Sequence, residues 1–186
     1  MRRRFICEAR MKRELWQRIF RYVFEFIVAG LFGWVYEVTC VWILYHHFVN
    51  RGILHLPIVP IYAVGAFILL AMLGERDRHP LFVFIFSAVV TTAFELGASY
   101  LLEFIFHRQF WTYEGWWGSI QDRSSLISSA IFGILAVGYF FWLHPLSGKL
   151  CDKLPKAVCI GFSVLASGAI LADLAVSVKG LLEAKQ

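Results

Sequence analysis

Acidic residues lie within or beside the long apolar runs of this chain, where a charge is costly and needs a partner or a polar cavity. They are Glu25, Glu37, Glu95, Glu103 and Asp173. Glu95, Ser99 and Glu103 recur every four residues, so they share one face of a helix. Arginine binds a carboxylate through a planar fork and stays charged when desolvated. These residue types therefore fit either a structural ion-pair network or a polar cavity for a ligand or a proton-coupled step.

The stretch NRGILHLPIVPIYAVGA, residues 50–66, lies between two apolar runs and contains Arg51 as a partner for the carboxylates. Pro57 and Pro60 interrupt a helix because proline has no amide hydrogen and its ring clashes with the preceding turn. Irregular backbone within a membrane is viable only where it faces protein or a water-filled cavity. We therefore predict an irregular, proline-broken start to the second helix, with backbone carbonyls free for a ligand.

Composition identifies the elements that position these residues. Hydrophobic residues make up 59% of the 186 residues, mean hydropathy is +0.65, and only 17% of residues are charged. A soluble domain carries about a quarter charged residues. The net charge of +5 is concentrated in the N-terminal segment, where it indicates membrane topology and contact with anionic lipid headgroups rather than nucleic acid. We predict an all-α integral membrane protein.

The predicted organisation is a basic juxtamembrane segment (1–21), a five-helix membrane domain (22–178) and a short tail (179–186). The apolar runs predict transmembrane helices at about 22–45, 56–73, 81–105, 124–143 and 157–178. With the N-terminus in the cytoplasm, the inner side holds thirteen lysines and arginines and the outer side five. This asymmetry follows the positive-inside rule and favours that orientation. Small residues, including Gly30 and Gly33, predict faces where helices approach closely.

Depth along these helices places Glu37, Glu95 and Glu103 in the same outer half as Arg51. Glu25 lies near the cytoplasmic end, among Arg18 and Arg21, and there we predict an interfacial ion pair. The loop HRQFWTYEGWWGSIQDR, residues 107–123, fits an interfacial aromatic belt or a stacking platform for a headgroup. The candidate substrate-binding residues of an outward-facing cavity are Trp34, Glu37, Asn50, Arg51, Pro57, Pro60, Tyr62, Glu95, Ser99, Glu103, Trp111 and Tyr113.

Several catalytic motifs are absent from the sequence. It contains no GxxxxGK[ST], HExxH or GxSxG pattern, so P-loop ATP hydrolysis is excluded and no catalytic residue is predicted. The four cysteines have no metal-ligand spacing and give no disulfide framework, and Cys40 and Cys159 fit small packing residues. We therefore predict no metal and no cofactor, which favours a non-enzyme and leaves an enzyme of the envelope as an alternative.

Sequence elements in a fixed order resemble the bacterial family of ABC-transporter type IV permeases, also called CmpB-like. They are GWVYEV (33–38), NRGILHLPIVPIYAVGA (50–66), FELGASYLLE (94–103), RQFWTYE (108–114) and FG…HPL (132–146). The resemblance covers roughly residues 20 to 150 and includes the twelve candidate residues together with Gly33, Gly52 and Gly65. The family pattern places an arginine after the aromatic loop. Arg123 is the candidate for that position, although WWGSIQDRSSLISS matches the pattern only in outline.

The resemblance implies a permease-type protein of the bacterial cell membrane, with an unknown substrate and an ATPase supplied by a separate subunit. Two alternatives stay open. The first is an outer-leaflet enzyme or lipid-handling protein whose carboxylates do acid–base work. The second is a non-catalytic scaffold held together by its ion pairs. The lipid bilayer is the predicted partner, nucleic acid is not, and a homo-oligomer is left open.

Overall fold

The computed structural model describes residues 2–74 and 79–183. Most of the inner connection GERDRHP and the end of the C-terminal tail lie outside these residues. Within them the chain forms helices, one π-turn and a two-stranded antiparallel hairpin. In order, the elements are α1 (Arg2–Tyr45), α2 (Pro60–Leu73), α3 (Pro80–Phe106), β1 (Ser119–Ile120), β2 (Ser124–Ser125), α4 (Leu126–Gly138), the π-turn (Tyr139–Leu143), α5 (His144–Lys153) and α6 (Lys156–Glu183).

The predicted all-α membrane fold is confirmed. Four helical runs in the described residues are long and apolar enough to cross a membrane: Leu15–Ile43, Pro80–Phe106, Leu126–Lys153 and Lys156–Glu183. The chain is therefore a multi-pass membrane protein. The second predicted span (56–73) is shorter than expected, because α2 begins at Pro60 and has 14 residues. At 1.5 Å per residue it is about 21 Å long, less than the ~30 Å hydrocarbon core.

The connection between the fourth and fifth predicted helices also differs from the expectation. Most of HPLSGKLCDKLPK is helical, because the π-turn leads directly into α5. The π-turn lies before Pro145, whose ring and missing amide hydrogen disturb regular α-helical bonding. A single long helical run with an altered register replaces the predicted helix and loop.

Cys151 of α5 and Cys159 of α6 form a disulfide, with 6.1 Å between their Cα atoms. The prediction of no disulfide was wrong. The spacing of eight residues along the chain did not indicate a pair. The chain reverses direction near Pro155, between the two helices, and this reversal brings the two thiols together. Cys159 is buried, as expected for a small packing residue, whereas Cys40 is free.

The chain divides into two compact units. The first contains Met1–Ala63 and His144–Ala175, and the second contains Val64–Leu143 and Val176–Gln186. In the first unit α1 packs against α5 and against the irregular residues 50–59, which we call the proline strip. In the second unit α3 packs against α4, where the Thr92 and Ser129 hydroxyls lie 2.5 Å apart.

Small residues permit close packing in both units, as the sequence predicted. Gly30 contacts the proline strip, since a Cβ atom there would lie 2.8 Å from the Ile58 side chain. Gly133 of α4 lies against Phe84 of α3, where a Cβ atom would come within 2.8 Å of the ring. By contrast, a Cβ atom at Gly161 of α6 would meet no atom of residues 2–74 and 79–183 within 4 Å.

Candidate functional site

Glu37 is the centre of a polar network in the first unit. Its carboxylate accepts a hydrogen bond from Arg51 Nε at 3.0 Å and another from the Tyr62 hydroxyl at 2.9 Å. The three side chains come from α1, the proline strip and the first turn of α2. Their side-chain exposures of 41% for Arg51 and 25% for Glu37 show that the ion pair is only partly enclosed.

Gly33 allows Tyr62 to reach Glu37. A Cβ atom at Gly33 would lie 2.6 Å from both Cβ and Cδ2 of Tyr62, far inside a normal carbon–carbon contact of ~3.5–4.0 Å. The Tyr62 ring therefore occupies the space that a side chain at Gly33 would fill. Tyr62 also packs edge-on against Tyr36, with ring centroids 5.9 Å apart. Gly33 thus has a packing role that determines where the Tyr62 hydroxyl lies.

Asn50 organises the beginning of the proline strip. Its side-chain oxygen accepts a hydrogen bond from Trp34 Nε1 at 2.6 Å, and its amide nitrogen donates to the carbonyls of Leu54 and His55 at 3.3 and 3.0 Å. A single side chain therefore binds α1 and folds the strip back on itself. Trp34 and Asn50 lie on the same two elements as Glu37 and Arg51.

The backbone of the proline strip is bonded to protein, as irregular backbone in a membrane requires. The Val59 amide donates to the Gly30 carbonyl at 3.0 Å, and the Leu56 amide donates to Asp173 Oδ2 at 2.8 Å. The other Asp173 oxygen lies 2.7 Å from His55 Nδ1. Pro57 in the strip and Pro60 at the first position of α2 contribute no amide hydrogen, so neither leaves a backbone donor to be satisfied.

Asp173 and His55 were not among the predicted site residues, although the sequence marked both as polar. They are 118 residues apart, so no local pattern links them. A signal was available, because an acidic residue in the last apolar run needs a partner within the protein. The sequence did not show which polar group would supply it.

A second polar network, in the second unit, joins α3, the aromatic loop and α4. Glu95 is 6% exposed and accepts hydrogen bonds from the Tyr113 hydroxyl at 2.7 Å and from the Ser128 hydroxyl at 3.4 Å. Ser128 is the third residue of α4 and also forms a reciprocal capping box with Ser125. The buried carboxylate is thereby bonded to both elements that pack against α3.

Arg123 also belongs to the second network. It binds α3 at Ser99 and Glu103, one and two helical turns after Glu95. Its Nη1 donates to the Ser99 hydroxyl at 3.0 Å, its Nη2 binds Glu103, and its guanidinium lies 4.0 Å from the centre of the Tyr100 ring. The side chain is only 14% exposed. Arg123, the candidate for the arginine of the family pattern, is thus bound to α3 through Ser99 and Glu103. The sequence had not assigned it as the partner of Glu103.

The hairpin turn that positions Arg123 has an unusual backbone. Gln121 and Asp122 both have positive φ angles, of 53° and 55°, and the Arg123 amide bonds to the Ile120 carbonyl at 3.1 Å. Consecutive left-handed residues are typical of tight hairpin turns, where asparagine and glycine are preferred. Trp111 Nε1 donates to the Arg123 carbonyl at 3.1 Å and holds the turn from the other side.

The aromatic loop contains two kinds of side chain. Trp111 and Tyr113 are bonded within the second network, whereas Trp116 and Trp117 are exposed at 41% and 73%. An exposed pair of tryptophans fits a membrane–water interface, where indole rings are enriched. The buried members serve the structure of the site, and the exposed members are available to lipid headgroups.

Glu25, for which the sequence predicted an interfacial ion pair near Arg18 and Arg21, contacts a histidine of α5. Its carboxylate is buried, and Oε1 lies 2.5 Å from His144 Nδ1 on α5. The two residues are 119 positions apart, so the histidine could not be identified as the partner from the sequence. This pair belongs to the first unit but to different residues from the Glu37 network.

The predicted candidate residues are thus distributed over two networks. The first unit contains Trp34, Glu37, Asn50, Arg51, Pro57, Pro60 and Tyr62, and the second contains Glu95, Ser99, Glu103, Trp111 and Tyr113. Each network has its own arginine–carboxylate pair. Among the described residues, no group of three or more His, Cys, Asp or Glu side chains could hold a metal ion. The side chains of the two networks can form hydrogen bonds and ion pairs.

Comparison with known proteins gives one family match. The model of the family described as "Putative ABC-transporter type IV" matches residues 24–178, which includes every residue of both networks. Comparisons with curated proteins and with solved structures give no match.

Proposed function

Because the chain belongs to the ABC-transporter type IV family, we propose that it is a permease-type subunit of a bacterial cell membrane, driven by a separate ATPase. The four membrane-spanning helices support a role within the bilayer. The sequence has no P-loop, so ATP hydrolysis would have to come from another protein chain. A small permease of this kind would supply the path for a substrate, and the partner would supply the energy.

We further propose that the Glu37 network contacts the substrate from the outer side of the membrane. The observation that carries this proposal is the partial exposure of both members of its ion pair, 41% for Arg51 and 25% for Glu37. A substrate with an anionic group could take the place of Glu37 on Arg51, since arginine binds carboxylate and phosphate in the same forked geometry. Tyr62 and Asn50 offer further hydrogen-bonding groups beside it.

The experiment is purification of the native complex in nanodiscs, followed by mass spectrometry of every co-eluting protein and small molecule. We expect a stoichiometric ATPase with a P-loop and a small polar molecule that wild type retains. Arg51→Gln should release that molecule, while Arg108→Gln, a control in the aromatic loop outside both networks, should retain it. An ATPase-free preparation with a tightly held lipid would refute the permease function and favour lipid handling.

The second network, which contains Arg123, favours a structural role for the second unit. Arg123 is 14% exposed and is bound at once by Ser99, Glu103 and the Tyr100 ring, which leaves little access for a ligand. We propose that this network fixes α3, the hairpin and α4 as a scaffold. Glu95→Gln should then lower the melting temperature without changing what co-purifies. Loss of the co-purifying molecule in a folded Glu95→Gln variant would instead make Glu95 a substrate contact.

A further inference from the structure

A carboxylate–imidazole pair is buried in the first unit, apart from the Glu37 network. Glu25 has 1% side-chain exposure and His144 has 13%, and their Oε1 and Nδ1 atoms are 2.5 Å apart. Glu25 lies within the membrane span Leu15–Ile43, and His144 lies within the span Leu126–Lys153. An ionisable residue inside a membrane span is expensive and marks a functional site by default.

The local structure holds His144 in a defined position. It is the first residue of α5 and directly follows the π-turn Tyr139–Leu143, an irregularity that is frequent at functional sites. The Ser147 hydroxyl, buried one turn further on, donates to the His144 carbonyl at 2.9 Å. Gly148 is also buried and lets α1 approach, so the ring of His144 can reach the carboxylate on α1.

Arg21 lies one helical turn before Glu25 on α1. Its guanidinium lies against Gly148 of α5, where a Cβ atom would come within 2.8 Å of Cζ. On α5, Lys149, Asp152 and Lys153 are exposed. On α6, Ser163 bonds to the Phe20 carbonyl of α1, and Cys159 is held in the disulfide and does not titrate. Arg21 therefore supplies positive charge beside a buried carboxylate.

We propose that Glu25 and His144 form a proton-binding site that gains and loses one proton. With Nδ1–H donating to the Glu25 carboxylate, the loaded state is an imidazolium paired with a carboxylate, which is neutral overall. Loss of the proton from Nε2 to water or a neighbouring acceptor leaves a neutral imidazole. The Nδ1–H bond to Glu25 remains, so the pair then carries one negative charge, which Arg21 offsets. No bond other than N–H is broken.

The residue types fit this role better than a purely mechanical contact between α1 and α5. A neutral amide or hydroxyl pair would join the helices without the cost of burying an ionisable carboxylate. Histidine changes charge between about pH 5 and 8, within the range that cells experience. The site is independent of the proposed substrate contacts, so it would couple protonation to the packing of α1 against α5 whatever the permease carries.

The test is ¹⁵N NMR of histidine-labelled wild-type protein in nanodiscs from pH 5 to 9. The His144 signals are assigned by their absence from the His144→Asn spectrum. We expect His144 to show a single one-proton transition within this range. A His144 ring that keeps one protonation state throughout would overturn the proposal and leave a structural hydrogen bond. The pH series is recorded on wild type, and the His144→Asn variant serves only to assign the signals.

A second arm tests whether Glu25 belongs to the site. In Glu25→Gln the His144 transition should shift by about one to three pH units, since a carboxylate in direct contact perturbs a titration by that amount. The signals of the exposed His47 serve as the control and should be the same in both proteins. An unchanged His144 transition in Glu25→Gln would overturn the pairing. Because the measurement needs neither an ATPase nor a substrate, its failure is distinguishable from failure of the permease proposal.

Discussion

Replacement of Gly33 by alanine should disrupt the Glu37 network through a single methyl group. The new Cβ atom would lie 2.6 Å from Cβ and Cδ2 of Tyr62, so about 1 Å of separation must be created. The contact is with the base of the Tyr62 side chain rather than with a flexible end. The ring, or the whole first turn of α2, must therefore move.

Two terms contribute to the cost. Overpacking of this kind costs about 1–3 kcal/mol. Displacement of Tyr62 also stretches the 2.9 Å hydrogen bond from its hydroxyl to Glu37, and a bond to a charged group contributes about 1.5–3 kcal/mol. Water replaces part of that bond because Glu37 is 25% exposed. We therefore expect a loss of about 2–4 kcal/mol, or about 5–15 °C in melting temperature for a chain of this length.

The assay is thermal unfolding in mild detergent, monitored by tryptophan fluorescence. Gly97→Ala on α3 is the matched control, because a Cβ atom there meets nothing within 4 Å, and it should melt like wild type. In a Tyr62→Gly background the whole side chain that clashes with the new Cβ atom is absent, so Gly33→Ala should no longer destabilise the protein. If Gly33→Ala melts like the control, or costs the same with and without Tyr62, the steric reasoning is refuted.

Three further changes test other contacts. Arg123→Lys should lower stability by about 1–3 kcal/mol, because lysine lacks the fork that bonds Ser99 and Glu103 at once; an unchanged melting curve would contradict this. Asp173→Ala removes the acceptor of the Leu56 amide, so hydrogen exchange at that amide should accelerate by about 10-fold or more; equal exchange rates would show that the bond is dispensable. Asp122→Gly should be more stable than Asp122→Ala by about 1 kcal/mol, because both lose the 2.9 Å hydrogen bond from the Ser119 hydroxyl and only glycine adopts the positive φ of 55° freely; equal melting temperatures would argue against a strained turn.

The sequence predicted the parts of the fold that depend on composition and local chemistry. Apolar runs identified the long membrane helices, and the two prolines identified the irregular start of the second helix. The Glu37–Arg51 pair could be anticipated from the sequence, because the two residues are 14 positions apart and lie on either side of the predicted end of the first helix. The same reasoning overestimated the length of the second helix, since the apolar residues of the proline strip look helical in a hydropathy count but are packed against α1.

Contacts between distant residues could not be predicted. The pairing of Glu25 with His144 depends on how α5 packs against α1 and on the register that follows the π-turn. The pairing of Glu103 with Arg123 depends on two left-handed residues in a tight turn, at positions occupied by Gln121 and Asp122 rather than by the usual asparagine and glycine. In each case the residue types indicated that a partner was needed, and only the three-dimensional arrangement identified it.

The bond between the proline strip and α6 has a consequence for how the chain is made. The Leu56 amide is satisfied by Asp173, which the ribosome adds 117 residues later. Because the ribosome adds about 5–20 residues per second, Asp173 is synthesised on the order of ten seconds after Leu56. Until α6 enters the bilayer, the nascent chain carries an unsatisfied amide where water is scarce. A chain truncated before Asp173 would therefore leave the Leu56 amide without the acceptor that the full-length protein provides.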